Sequence, residues 1–108
     1  MRKKNSKVKL PKTINFGFRI FRVILQEDYS GDDTYGHSDY QKGIICIDAS
    51  MSEEMIKDTL LHEIIHIILT LICNDPKKEL DNENLVVGLT SGLLLVLNLN
   101  KGLFKLYE

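Results

Sequence analysis

The chain has little of what marks several classes of protein. Its 108 residues contain two cysteines, two prolines and seven glycines. A small secreted fold typically needs four or more cysteines, so two indicate reduced thiols in a cytoplasmic protein. The low proline and glycine content excludes collagen-like and low-complexity chains. An ordinary globular domain remains, and we expect it to span residues 13–108.

Long hydrophobic runs are also missing. The two longest strongly apolar segments, residues 60–72 and 85–99, are interrupted by polar residues and glycines, and both fall short of the roughly 20 residues that a membrane span needs. No apolar stretch with a small-residue cleavage site follows the basic N-terminus, as a signal peptide would require. We therefore expect neither a membrane segment nor secretion by that route.

The net charge of −1 conceals an uneven distribution of charge. The first twelve residues hold six basic side chains and no acidic one, whereas the rest of the chain holds eight basic and fifteen acidic side chains. We expect residues 1–12 to form a basic, flexible tail. Such a tail can contact nucleic acid or anionic lipid, but a short lysine-rich terminus is more often simply solvated, so nucleic-acid binding is the weaker expectation.

The first half of the domain has the composition of strands and turns. Residues 13–27 are rich in β-branched and aromatic side chains and predict a strand or a short hairpin. Residues 28–43 are rich in Gly, Asp, Ser and Tyr and predict a long loop. Residues 44–48, Ile-Ile-Cys-Ile-Asp, predict a second strand.

The second half has helical patterns. Residues 52–73 predict a helix, with Ser50 and Glu53 forming a capping box at its start. A charged connector leads to a second helix over about residues 82–98, and the tail that follows is either a fraying end or a short closing strand. The expected fold class is therefore α+β, with a small antiparallel or mixed sheet packed on two main helices.

One motif within the first helix carries chemistry. The sequence from residue 62 reads His62-Glu63-Ile64-Ile65-His66, which is the H-E-x-x-H pattern. Histidines four residues apart lie one turn apart on the same face of a helix, so both imidazoles can reach one metal ion. Glu63 lies beside them, where it can act on a water molecule without being a ligand itself.

A helical wheel divides this helix into a polar and an apolar arc. We expect the polar arc to face a cleft and the apolar arc to face the core. The polar arc contains Met55, Asp58, Thr59, His62, Glu63, His66, Thr70 and Cys73, and the apolar arc contains Ile56, Leu60, Leu61, Ile64, Ile65, Ile67, Ile68, Leu71 and Ile72.

A catalytic zinc ion needs a third protein ligand. Glu83 opens the second helix at the head of an apolar face, formed by Val86, Val87, Thr90, Leu94 and Leu97, that we expect to turn inward. An inward carboxylate is costly unless it is paired or bound to a metal, so Glu83 is the first candidate. Glu79 or Asp81 in the connector, or a helix-capping role for Glu83, are the alternatives.

This combination resembles a known family. The run from Thr59 to His66, preceded by a short strand and followed by Glu83 in the next helix, resembles small zincin-like proteins of phages and mobile elements related to the ImmA/IrrE metallopeptidases. The likeness covers about residues 35–98. It implies a minimal gluzincin-like fold, Zn²⁺ held by His62, His66 and Glu83, Glu63 as general base, and a protein or peptide substrate.

The residues suggest a zinc-dependent metallopeptidase mechanism. Glu63 would take the proton of a zinc-activated water and pass it to the leaving amine. An extended peptide would add to the edge of the strand over residues 44–48. Tyr35, His37 and Tyr40, in the loop before that strand, are candidate donors to the oxyanion.

Other polar residues have plainer interpretations. Asp58 lies one turn before His62 and can orient an imidazole, although exposure to solvent is the simpler account. Cys46 and Cys73 are expected to be inert core thiols.

The main alternative to an enzyme is a catalytically inactive, zinc-stabilised binding or regulatory module on the same scaffold. The oligomeric state stays open.

Overall fold

A computed structural model describes residues 8–29, 35–71 and 82–108. Within these ranges the chain forms strands followed by helices. The strands are β1 (Thr13–Asn15), β2 (Ile20–Gln26), β3 (Gly36–Asp39) and β4 (Ile44–Asp48), and the helices are α1 (Glu53–Leu71), α2 (Asn82–Leu99) and a short 3₁₀ helix, η1 (Leu103–Tyr107).

The strands form one mixed sheet in the order β1-β2-β4-β3. β1 and β2 are an antiparallel hairpin, β2 and β4 are parallel, and β3 and β4 are antiparallel. The two main helices pack on this sheet, which confirms the predicted α+β class. Of the two predictions for residues 13–27, a strand or a short hairpin, the structure has the hairpin, β1–β2.

Strand β3 lies where the sequence predicted only a loop. Its residues, Gly-His-Ser-Asp, have neither the alternation nor the β-branched side chains that reveal a strand. Pairing with β4, from Gly36 opposite Ile47 to Asp39 opposite Ile44, holds it extended. The prediction of an uninterrupted loop over residues 28–43 was therefore wrong.

Strand β4 is internal, because β2 pairs with one side of it and β3 with the other. Both rows of its backbone hydrogen-bonding groups are consequently in use, so the predicted addition of a peptide to the edge of residues 44–48 is wrong. Among the described strands, the outer one on this side of the sheet is β3.

The core lies between the sheet and the helices. Phe21, Ile45 and Ile47 are fully buried on one face of the sheet, together with Ile14 of β1. The apolar arc predicted for α1 is largely confirmed, since Ile56, Leu60, Ile64, Ile67 and Ile68 are buried against them. Leu61 departs from that prediction, because it is exposed.

Helix α1 begins at a different cap from the predicted one. The Ser52 hydroxyl accepts a hydrogen bond from the Met55 backbone N–H at 3.2 Å, so Ser52 is the N-cap residue. The Ser50 hydroxyl instead donates to Asp48 Oδ1 at 2.8 Å within the preceding turn. The predicted capping box of Ser50 and Glu53 is therefore wrong, although the helix start is confirmed within a residue.

Helix α2 occupies the predicted range but presents a different face to the core. Val96 is fully buried, whereas Val86, Val87 and Leu94 are exposed. The face headed by Glu83 therefore points outward, and Glu83 itself is exposed. The argument that Glu83 is an inward carboxylate is wrong.

Asn100 ties the end of α2 to the outer strand β1. Its side-chain oxygen accepts the Asn15 backbone N–H at 2.8 Å, and its side-chain nitrogen donates to the Asn15 carbonyl oxygen at 2.8 Å. The Asn100 amide thus makes the pair of hydrogen bonds to β1 that the backbone of a further strand would make.

Both ends of the described chain add to the core. Val8 and Leu10 pack against it at one end, and residues 1–7 of the predicted tail lie outside the described ranges. At the other end Leu103 of η1 is buried, so the tail is a 3₁₀ helix rather than the predicted frayed end or strand. None of the described helices is both long and apolar enough to span a bilayer.

Candidate functional site

The H-E-x-x-H residues lie in the middle of α1, on its side toward β3. His62 and His66 are exposed, and their ring centroids lie 4.6 Å apart with the rings nearly perpendicular. Glu63, one position round the helix, is only 7% exposed. The helical spacing thus brings both imidazoles together at the surface, as predicted from the sequence. Glu63 was predicted to lie beside them on the same polar arc, and the structure buries its side chain.

These side chains line an open cleft of about 680 Å³ between β3 and α1. The sheet contributes its edge strand and the turn after it, and the helix contributes its polar arc. The lining residues are Tyr35, Gly36, His37, Ser38, Tyr40, Met55, Asp58, Thr59, His62, Glu63 and His66.

Ser38 of β3 holds the Glu63 carboxylate. Its hydroxyl donates to Glu63 Oε1 at 2.7 Å, a distance typical of a hydrogen bond to a carboxylate. Because neighbouring side chains of a strand alternate between its two faces, Ser38 points toward the helix. Sequence reasoning missed this residue, since the segment around it was predicted to be a loop.

Gly36 allows β3 to approach the helix this closely. A Cβ atom at this position would lie 2.7 Å from the Cys46 carbonyl oxygen and 2.9 Å from Thr59 Cγ2. Only glycine fits between the central strand and α1 here. The contact between Ser38 and Glu63 therefore depends on a glycine two residues earlier.

The three candidate oxyanion donors differ in their surroundings. Tyr35 lines the cleft and is exposed, and the Tyr40 hydroxyl lies 3.2 Å from Thr70 Oγ1. His37 stacks on Tyr29, whose hydroxyl lies 3.0 Å from His37 Nδ1. Strand alternation places the His37 ring on the opposite face of β3 from Ser38. The Tyr35 carbonyl oxygen accepts the Asp48 N–H, so the pairing continues to Tyr35 and puts it on the same side as His37. Tyr40 packs edge-on against the buried Phe21 and is the best placed candidate.

Glu83, the predicted third ligand, does not form a metal-binding cluster with the two histidines. Among the described residues, no three His, Cys, Asp or Glu side chains lie close enough together to hold a metal ion. Glu83 is exposed on the first turn of α2. Glu79 and Asp81, the alternatives, lie outside the described residues, as does Cys73.

One end of the cleft adjoins the C-terminal 3₁₀ helix. The Tyr107 hydroxyl donates to the Lys57 carbonyl oxygen at 2.7 Å. Burial and the nearby Asp58 carboxylate raise the pKa of Tyr107 to about 12. Asp58 is exposed at the edge of the cleft, in agreement with the simpler expectation.

Cys46 lies in the sheet, away from the histidines. Its thiol is buried and donates to Gln26 Oε1 at 2.9 Å, and burial raises the pKa of the thiol. It is a free cysteine. The expectation of an unreactive core thiol is consistent with these features.

The chain was compared with known proteins at the level of sequence and of structure. No protein-family model matches it, and neither does a curated protein or a solved structure. What the fold and site define is therefore a structural class: an α+β domain whose surface cleft joins paired histidines to a buried glutamate.

Proposed function

We propose that the protein is a zinc-dependent metallopeptidase-like hydrolase that acts on peptide bonds. The observation that supports this most is the pairing of His62 and His66, 4.6 Å apart between ring centroids, on a cleft beside a buried glutamate. Imidazole nitrogens are ligands that zinc prefers, and an open cleft is what a substrate requires. The resemblance to the ImmA/IrrE metallopeptidases supports the same class and a phage or mobile-element source.

The two histidines supply nitrogen donors of the kind that zinc binds. The third ligand is a proposal. Glu83 keeps that role as a proposal from the resemblance, with Glu79 and Asp81 as alternatives. When bound, zinc would activate a water molecule and polarise the carbonyl group of the substrate.

Residues of this chain supply the general base, the edge that binds the peptide and the donor to the oxyanion. Glu63 acts as general base: Ser38 holds its carboxylate in the cleft, and the carboxylate accepts a proton from the attacking water and passes it to the leaving amine. The outer edge of β3, which no other described strand pairs with, is where an extended peptide would add to the sheet, beside the two histidines. Tyr40 would then donate to the developing oxyanion.

Metal analysis tests the ligand set. Protein purified without added zinc should contain zinc in about equimolar amount, and His62→Ala should lose it. Glu83→Ala should lose it as well; full retention would remove Glu83 from the ligand set. Glu54→Gln, an exposed position on the same helix, is the matched control and should keep its zinc.

A peptide library tests hydrolysis. Glu63→Gln should abolish cleavage while zinc stays bound, and Glu54→Gln should cleave as the unaltered protein does. If Glu63→Gln instead empties the site, the assignment of Glu63 as general base is wrong.

A catalytically inactive, zinc-stabilised binding module is the second candidate. One observation favours it: Glu63 is already bonded to Ser38 and almost entirely buried, as a structural carboxylate would be. Full zinc occupancy with no cleavage of any library peptide would support this function over hydrolysis. For either function we propose a cytoplasmic location, since Cys46 is a free thiol and the chain has only two cysteines.

A further inference from the structure

The two walls of the cleft, strand β3 and helix α1, run in the same direction. At one end a Cβ atom on Gly36 would lie 2.9 Å from Thr59 Cγ2, and further along both elements Ser38 bonds to Glu63. Residue numbers therefore rise together along the strand and the helix. A peptide that pairs with β3 consequently has a defined direction relative to the side chains of α1.

That direction follows from the way strands pair. Antiparallel pairs are slightly more stable per residue than parallel pairs, so an extended peptide on the outer edge of β3 is expected to lie antiparallel to it. The residues before the cleaved bond then lie toward Asp39, at the end of β3. The residues after that bond lie toward Gly36, where the cleft meets the first turns of α1.

Asp58 is a charged residue of the cleft at this second end. It lines the cleft and is exposed, one helical turn before His62. The midpoint of His62 and His66 follows Asp58 by six residues, which is about 9 Å along the helix axis. An extended peptide advances by about 3.4 Å per residue, so Asp58 lies about two to three residues beyond the point of attack.

The register of β3 indicates the same position. Side chains of paired strands alternate together between the two faces, so peptide residues opposite Ser38 and Gly36 both point toward α1. Ser38 holds Glu63, which places the residue before the cleaved bond opposite Ser38. The residue opposite Gly36 is then the second one after that bond, at the part of the cleft that Met55 and Asp58 line.

The Asp58 carboxylate has no ion-pair partner within the described part of the chain. Lys57, its neighbour in the sequence, pairs with Glu53 Oε2 at 3.5 Å instead. The nearby Tyr107 phenol carries no charge at neutral pH, since its pKa is raised to about 12. Met55, one turn before Asp58 in the lining of the cleft, is half-buried and apolar. A side chain with an apolar stem and a cationic end fits this pair of residues.

We propose that the cleft selects peptides with a lysine or arginine as the second residue after the cleaved bond, and that Asp58 recognises this residue. The apolar stem of the substrate side chain lies on Met55, and its charged end meets the Asp58 carboxylate. This specificity rests on the proposed hydrolase function and adds a substrate class to it. An exposed ion pair of this kind changes kcat/KM by about 2- to 5-fold.

Cleavage of matched peptides tests the specificity. A peptide that the zinc-loaded protein cleaves is remade with Lys, Gln or Glu as the second residue after the cleaved bond. We expect kcat/KM for the Lys peptide to exceed that for the Gln peptide by about 2- to 5-fold, with the Glu peptide slowest. High salt should reduce the difference, because it screens an exposed ion pair. Equal rates for these peptides would overturn the proposal and leave the hydrolase function standing.

Variants at Asp58 assign the preference to its carboxylate. Asp58→Asn should abolish the difference between the Lys and Gln peptides, and Asp58→Lys should favour the Glu peptide. Both should keep the circular dichroism of the unaltered protein, because Asp58 is exposed. Glu54→Gln is the matched control, since Glu54 lies one turn earlier and outside the lining of the cleft, and it should keep the unaltered preference. An equal loss of rate for all of these peptides in Asp58→Asn would assign Asp58 to orienting an imidazole and would overturn the proposal.

A binding measurement separates recognition from hydrolysis. Zinc-loaded Glu63→Gln protein is titrated into fluorescein-labelled Lys and Gln peptides, and fluorescence anisotropy gives each Kd. The Lys peptide should bind about 2- to 5-fold more tightly, and adding Asp58→Asn should remove that difference. If no library peptide is cleaved, threonine- and valine-rich peptides with one central Lys or Gln are used. An Asp58-dependent preference would then support recognition of basic peptides without hydrolysis, and equal affinities would overturn the proposal.

Discussion

The Ser38 hydroxyl donates to Glu63 Oε1 at 2.7 Å, across the cleft between the edge strand β3 and helix α1. Glu63 is buried at the wall of this cleft. A buried carboxylate needs hydrogen-bond donors, and the Ser38 hydroxyl supplies one to Glu63. This single contact links the stability of the fold to the geometry of the candidate site.

Removal of the Ser38 hydroxyl should therefore destabilise the protein. We expect Ser38→Ala to lower the free energy of unfolding by about 1–3 kcal/mol, because it leaves a buried acceptor without its donor. Urea denaturation measures this. Tyr40→Phe removes an exposed hydrogen bond at the same cleft and should cost less than about 0.5 kcal/mol. Equal losses of unfolding free energy for Ser38→Ala and Tyr40→Phe would contradict the argument that a buried hydrogen bond stabilises the protein more than an exposed one.

A methyl group at Gly36 should force β3 away from α1. We expect Gly36→Ala to cost about 1–3 kcal/mol, because the new atom would overlap the Cys46 carbonyl oxygen and Thr59 Cγ2. Adding Thr59→Ser removes one of these contacts and should recover only part of the loss, since the other contact is with the backbone. Thermal unfolding of the two variants measures both effects, and a Gly36→Ala protein as stable as the unaltered one would refute the close fit.

The N-cap of α1 gives a prediction that separates two serines. Ser52→Ala should cost about 1 kcal/mol, because the Met55 N–H loses its acceptor. Ser50→Ala should change stability by less than about 0.5 kcal/mol, since it removes only an exposed bond within a turn. If urea denaturation showed a larger loss of stability for Ser50→Ala than for Ser52→Ala, Ser50 would be the N-cap residue.

Tyr107 should make stability fall at alkaline pH. Its pKa is raised to about 12 from an ordinary value of 10.0, so the folded state favours the protonated phenol. The stabilisation from this shift is complete below pH 10 and is lost as the pH rises toward 12. The difference in unfolding midpoint between the unaltered protein and Tyr107→Phe should therefore shrink over this range.

A second variant isolates the cause of that shift. Asp58→Asn removes the neighbouring negative charge, which should lower the pKa of Tyr107 and reduce the alkaline loss of stability. Ultraviolet titration of tyrosinate in the folded protein measures the pKa directly. An unchanged titration in Asp58→Asn would assign the shift to burial alone.

The strongest patterns in the sequence predicted the structure well. The spacing of His62, Glu63 and His66 predicted their arrangement on α1, because a helix fixes which residues share a face. The apolar runs predicted the hairpin, β4 and both helices. Local spacing within one element was enough for each of these features.

Features that depend on contacts between distant segments could not be predicted in this way. Ser38 and Gly36 lie in a short polar strand whose extended form comes from pairing with β4, so no local pattern reveals it. The inward face of α2 was assigned wrongly because both sides of that helix are apolar. A wheel cannot choose between two apolar sides when the packing of the rest of the molecule decides.

The bonds between Asn100 and Asn15 affect how the sheet can grow. The sheet has two outer strands, and β1, only three residues long, has its Asn15 backbone groups already bonded to an amide side chain. An outer strand whose hydrogen-bonding groups are satisfied is a poor template for aggregation. The Asn100 side chain thus blocks the Asn15 end of β1, which favours β3, next to the paired histidines, as the edge that a strand from another chain would join.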